Sequence, residues 1–176
     1  AGSLAIFNQM HGNGSKNISK DNFEEEIDFL GARISFSVNG AFASSLSRYF
    51  SRILELMSDG IINPNFSQNE FEKEKEKLLE QIKASEKDVE TVARRVENFL
   101  SYGANHPYGE YVSKETVENV SLEDIETIYD NYVTPNNSYL VIVGDIDYKK
   151  VKKEVEVLFS KWKLKDLLNK SFPEPL

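Results

Sequence analysis

The chain has no cysteine, only two histidines, and no run of apolar residues long enough to cross a bilayer. Each absence removes a class of function. Without cysteine there are no disulfides, no thiol nucleophile and no thiolate-ligated metal. Two histidines, His11 and His106, leave little room for an all-imidazole metal site. A spanning helix needs about 20 mostly apolar residues, so no transmembrane segment is expected. Ala1-Gly2-Ser3 does not read as a signal peptide. Positive charge is also scarce: 21 Lys and Arg stand against 29 Asp and Glu, giving a net charge of −8. No basic cluster stands clear of glutamate, which argues against nucleic acid as a partner.

What is present is an ordinary globular mixture, 40% hydrophobic and 28% charged over 176 residues, enough for one sizeable core. Three helix starts share one signature, a Ser N-cap bracketed by apolar residues. Ile18 and Phe23 flank Ser19, Phe66 and Phe71 flank Ser67, and Val120 and Ile125 flank Ser121. Glu70 three residues after Ser67 predicts a full capping box there. Six Asn-X-Ser sequons, at Asn13, Asn17, Asn65, Asn119, Asn136 and Asn169, read as a consequence of Asn- and Ser-rich composition, because three of their serines are these caps.

Apolar spacing extends the helices. Phe23, Ile27 and Leu30 lead to Gly31 as a C′ residue, and Phe50, Ile53, Leu54 and Met57 form a helix ending near Gly60. Phe71, Leu78, Leu79 and Ile82 line one side of a Lys/Glu-rich helix, Val89 to Phe99 give another, and Val151, Val155, Leu158 and Trp162 mark the last. Alternating Ile34, Phe36 and Val38 predict a half-buried strand, with Asn39-Gly40 as a two-residue hairpin turn into Ala41–Ser47. Tyr139–Val143, apolar throughout, predicts a central strand covered on both faces. Three strands are few for about six helices, so the sheet is expected to be completed by another chain or by strands upstream. Lys163–Leu176, with Pro173 and Pro175, reads as a linker after a domain spanning residues 1–162.

The order His106-Pro107-Tyr108-Gly109, Ser121-Leu122-Glu123-Asp124-Ile125, Thr134-Pro135-Asn136-Asn137 and Val143-Gly144-Asp145, preceded by Leu30-Gly31-Ala32 and Asn63-Pro64-x-Phe66, resembles the insulinase-like family of zinc peptidases (M16, which includes pitrilysin and the mitochondrial processing peptidase). The resemblance covers about residues 3–162. It implies an α+β fold, an α/β sandwich of the LuxS/MPP-like metallohydrolase type with an antiparallel sheet backed by helices, here without its N-terminal strands. In that family His-x-x-Glu-His on a helix supplies two zinc ligands and the general base, and a Glu from a later helix supplies the third ligand. Aligned on Leu4-Ala5, those places are taken by Ile6, Gln9 and Met10, and the third ligand falls on Gln81. None can do the family's chemistry.

The resemblance therefore implies a domain that binds no cofactor itself, beside a homologous zinc-bearing domain in the same chain or a partner subunit. Its role would be to form part of a chamber for a peptide substrate. The alternative is a structural module of the same fold with no peptidase role. The bacterial periplasm is the compartment implied. An assisting Arg and Tyr would lie outside this sequence. His11 and Glu80 are the only candidates for a shifted metal site; His11 sits beside Met10 but points about 100° away on a helix. His106 is expected to fix its loop by hydrogen bonds. Carboxylate pairs such as Glu24–Asp28 and Glu72–Glu76 read as solubilising charge. Gly12-x-Gly14 lacks the strand that a dinucleotide fingerprint requires.

Overall fold

The structure, a computed structural model, describes residues 1–165. Eight α-helices and one hairpin, with short 3-10 turns at Ser47–Tyr49 and Pro135–Asn137, are formed among those residues: α1 Ser3–Met10, α2 Lys20–Phe29, β1 Arg33–Ser37, β2 Gly40–Ser44, α3 Phe50–Ile62, α4 Gln68–Ser85, α5 Val89–Tyr102, α6 Lys114–Glu118, α7 Leu122–Tyr132 and α8 Tyr148–Phe159. The main core gathers Ile6, Phe7 and Met10 of α1 with Leu54, Met57 and Ile61 of α3, Phe71 and Ile82 of α4, and Ile125 of α7. A second cluster, Phe23, Leu30, Ile53 and Leu56, lies between α2 and α3. The inward residues of the hairpin, Ile34, Phe36 and Ala43, pack against both clusters. This is the mixed helix-rich, antiparallel-sheet architecture expected.

The serine caps act as anticipated. Ser19 accepts from the Asn22 N–H (3.4 Å), Ser67 from Glu70 (3.3 Å) and Ser121 from Asp124 (3.2 Å). The capping box predicted at Ser67 is not closed, because the Glu70 carboxylate is drawn to Lys73 (2.8 Å) and Lys20 (3.8 Å). Reciprocal boxes occur instead at Ser121–Asp124 and at Ser113–Thr116, which starts the short α6 that apolar spacing missed. Gly31, at φ +57°, ends α2 in a Schellman arrangement: its N–H donates to Asp28 O (3.0 Å) and that of Ala32 to Ile27 O (3.0 Å).

Three expectations need correction. α3 runs past Gly60 to Ile62, because this glycine makes room for a ring rather than a turn; a Cβ there would come within 2.6 Å of Phe36 Cζ. The hairpin turn lies one residue early: Ser37 pairs with Gly40, so Val38 and Asn39 form the loop, and the Val38 N–H donates to Asn8 Oδ1 (2.9 Å). Tyr139–Val143 is not a covered central strand. It forms no strand and has no backbone hydrogen-bond partner among the described residues, and Tyr139, Val141 and Val143 are 98%, 81% and 91% exposed. An apolar run makes a strand only when a neighbour takes up its backbone groups. Of the expected linker, Lys165 bonds through its N–H and carbonyl to the Asn136 side chain and through Nζ to Asp130 (2.8 Å). Its residues 166–176 lie outside those described.

Polar ties hold the helix ends. Ser15 Oγ bonds to Asp59 Oδ2 on α3, while Asn17 and Asn63 donate to Asp59 Oδ1 (2.7 and 2.8 Å). The turn after α1 is thus pinned to the end of α3. Arg52 joins α3 to α2 by a forked pair with Glu26 (2.5 and 2.8 Å), and this bond holds the Glu26 carboxyl below its ordinary range. The Tyr129 hydroxyl donates to the carbonyls of Ile61 (2.9 Å) and Ile62 (3.0 Å) at the end of α3, and burial pushes its phenol up to about 12. Because Asp59 alone satisfies three side-chain donors, Asp59→Ala is expected to cost about 2–3 kcal/mol, more than an ordinary surface change. Urea denaturation measures it as a lower midpoint at unchanged slope; a loss below about 0.5 kcal/mol would show the network to be dispensable.

Candidate functional site

α1 is the element on which a metal site would be built, and its buried face is apolar. Ile6, Phe7 and Met10 are 1%, 0% and 1% exposed and sit in the main core. Gln9, on the opposite face, is exposed. Gln81 and Glu80 are exposed on α4, whereas the next residue, Ile82, turns into the core. The two Gln side chains thus face water while Ile6 and Met10 fill the interior. Among the described residues no group of three or more His, Asp or Glu is placed to share a metal ion.

His11 follows α1 as its C-cap, with extended backbone at φ −70°, ψ 108°. It is 5% exposed, and its ring lies among those of Phe7 (5.1 Å), Phe36 (5.3 Å), Tyr129 (6.3 Å) and Phe66 (6.4 Å). Neither ring nitrogen has a hydrogen-bond partner. Burial lowers its pKa to about 4; nearby backbone at Ser37 and Gly60 offsets part of this without reaching hydrogen-bond geometry with the ring. His11 is therefore neutral near pH 7. Sequence spacing found this residue but not its aromatic enclosure, which is assembled from four separate elements.

His106 has the local role anticipated. Its Nδ1 accepts from the Tyr108 N–H (3.1 Å), its carbonyl accepts from Gly109 (2.9 Å) and Glu110 (3.2 Å), and its ring stacks on Tyr102 (5.0 Å, 23°). The imidazole is used in shaping the loop.

Beside α1 runs an open groove of about 1180 Å³, bordered by His11, the hairpin tip Ser37–Ala41, Met57 and Ile61 of α3, Tyr139-Leu140, and Phe159 and Trp162. It is larger than a second concavity of about 430 Å³ that Asn17, Arg52 and Asp59 help to line. No part of the sequence pattern pointed to it, since its walls come from segments up to about 150 residues apart.

The family model for insulinase (peptidase family M16) matches residues 5–108, and that for the peptidase M16 inactive domain matches residues 119–176. The chain belongs to the insulinase (M16) family. An inactive domain of an insulinase-like peptidase accounts for both matches. Among relatives, a Bacillus subtilis protein named as an uncharacterized zinc protease, YmxG, is 23% identical over 86% of this chain and 38% of its own length. The zinc protease PqqE of Helicobacter pylori is 23% identical over 92% of this chain and 37% of its own. Among solved structures, a peptidase M16 inactive domain from Pseudomonas fluorescens superposes with a TM-score of 0.81 at 19% identity, covering 99% of this chain and 44% of that one. The first half of the periplasmic protease PqqL from Escherichia coli gives 0.70 at 21% identity, covering 98% and 40%. The chain thus spans under half the length of these M16 proteins.

The state of His11 makes a pH prediction. Its folded pKa lies below the ordinary 6.5, so folding favours the neutral form. Its contribution is fully present above pH 6.5, declines as pH falls through that value, and levels off near pH 4 after a loss of about 3 kcal/mol. Carboxylates add their own acid dependence, so the measurement is a difference. His11→Phe should flatten the stability profile between pH 6.5 and 4 relative to the parent; parallel profiles would mean that His11 is not buried neutral.

Proposed function

We propose that residues 1–162 form a domain that keeps the insulinase scaffold without its metal chemistry, with residues 163–176 as a linker toward a following domain. Its role is to pack beside a homologous zinc-bearing domain, in the same chain or a partner subunit, and to form part of the wall of a chamber for peptide substrates. The observation that carries this reading is the burial of Ile6 and Met10. In the proposed register they stand where the family has its two histidines, and both are committed to the core. An alkyl chain and a buried thioether do not fit zinc, which takes imidazole, thiolate or carboxylate in such sites. Gln9 and Gln81 would supply neutral carboxamides, which make neither a general base nor an anionic ligand.

The proposed division of labour leaves zinc, which activates water for attack on a peptide carbonyl, to the partner domain. This chain's own residues contribute shape: α1, α3 and α7 hold a surface from which metal ligands are missing. The names of the relatives, zinc proteases in two bacteria, support the peptidase setting over a purely structural module. A neighbour named as a periplasmic protease supports the periplasm.

Metal analysis of the purified chain tests the assignment. Zinc should stay well below one equivalent after dialysis, and the chain alone should cleave no peptide mixture in a chelator-sensitive way. Stoichiometric zinc that disappears in His11→Ala or Glu80→Ala would overturn the proposal and locate a shifted site.

A further inference from the structure

An aspartate or asparagine is followed by glycine at three places, Asn13-Gly14, Asn39-Gly40 and Asp59-Gly60. Glycine has no side chain to shield its amide nitrogen or to restrict its backbone. That nitrogen attacks the carbonyl carbon of the preceding side chain wherever the chain is free to bring the two together. The fold treats the three pairs differently.

Asn39 stands exposed at the tip of the hairpin, and its carboxamide has no hydrogen-bond partner among the described residues. Gly40 is exposed as well, and a Cβ built on it would meet nothing within 4 Å, so the space around it is open. Gly40 pairs with Ser37 as the terminal rung of a two-stranded ladder. Terminal rungs open at a small fraction of the cost of unfolding, and loop tips are where chemical change concentrates.

Asn13 has the same glycine neighbour in the opposite setting. Its N–H donates to Met10 O (3.1 Å), and its Nδ2 is enclosed by protein. Gly14 is buried, and a Cβ there would come within 2.6 Å of Ile18 O and 2.8 Å of Lys20 N. The next residue, Ser15, is tied to Asp59 on α3. Bringing Asn13 into line for attack therefore requires the turn after α1 to open. Asp59 is held more firmly still: its oxygens accept from Ser15, Asn17 and Asn63, and Gly60 lies inside the helical ladder of α3.

We propose that Asn39 is a site of spontaneous modification, from which the fold protects Asn13. The Gly40 nitrogen bonds to Asn39 Cγ and gives up its proton to solvent. The Cγ–Nδ2 bond breaks, and Nδ2 takes up a proton and leaves as ammonia. Water then opens the five-membered imide. Opening at Cγ gives aspartate, and opening at the backbone carbonyl gives isoaspartate, with no oxidation or reduction. Either product adds a negative charge at the hairpin tip, and isoaspartate also adds a backbone carbon to the two-residue loop. That loop borders the groove and is tied to α1 through Val38 and Asn8, so the modification alters the rim of the groove.

Peptide mapping by mass spectrometry, after incubation in warm, mildly alkaline buffer with and without urea, tests this. In the folded protein Asn39 is expected to convert about tenfold or more faster than Asn13, and in urea the two should convert at similar rates. Asn39→Gln should remove the products at the hairpin and leave conversion of Asn13 in urea unchanged. An Asn39 that stays intact in the folded protein while converting in urea would overturn the proposal. So would a ratio of the two rates that is the same in both conditions, because local sequence and not the fold would then set it.

Discussion

The burial of one face of α1 is the constraint on which the rest of this structure depends. Ile6, Phe7 and Met10 are almost wholly removed from water and meet side chains from α3, α4 and α7. Side chains of this size contribute about 1.5–3 kcal/mol each on burial. Their common contact fixes the mutual positions of helices far apart in sequence. The polar ties act at the rim of this contact. Asp59 fastens the turn leaving α1 to the end of α3, and Tyr129 of α7 closes the last carbonyls of α3. Both lock the distal end of a helix whose middle is held by the α1 core.

The helices were legible in the sequence because their signals are local. A serine that accepts from an N–H three residues on, and apolar residues one turn apart, act within a dozen residues, and they placed α2, α3, α4, α5, α7 and α8. The misreadings arose where distant residues decide. Gly60 looks like a helix terminator until Phe36, from a strand 24 residues earlier, occupies the space above it. Asn39-Gly40 has the composition of a primed turn, but no residue except glycine has positive φ in the described chain. Val38-Asn39 forms the turn instead. Tyr139–Val143 has the composition of an interior strand, and composition cannot say whether a partner is present.

The candidate site divides in the same way. Motif order proposed its members: Ile6, Gln9, Met10 and Gln81 come from short landmarks and fixed spacing in the resemblance. It does not reach their environments. That the two apolar members are core and the two amides solvent-facing depends on how α1 lies against α4. The aromatic enclosure of His11 depends on rings from α1, β1, the loop before α4, and α7. A lone histidine at the end of α1 invites a ligand reading from sequence alone. Its enclosure by rings and its low pKa describe an imidazole kept neutral by desolvation.

Packing and metal binding make opposing demands on the same face of α1. A zinc site of the family type needs polar side chains with access to water or substrate, and it holds deprotonated ligands in place by further hydrogen bonds. The observed face excludes water and offers its neighbours alkyl and thioether surface. Placing imidazoles at residues 6 and 10 would bury polar groups where the surroundings are carbon, at a desolvation cost of about 1–3 kcal/mol for each unsatisfied group. It would also remove contacts that hold α3 and α4 together. Building a metal site on this face one residue at a time is therefore disfavoured, because each single step loses core stability before a second ligand and a carboxylate can offset it. As it stands, this face contributes a rigid, close-packed support to the helices around it.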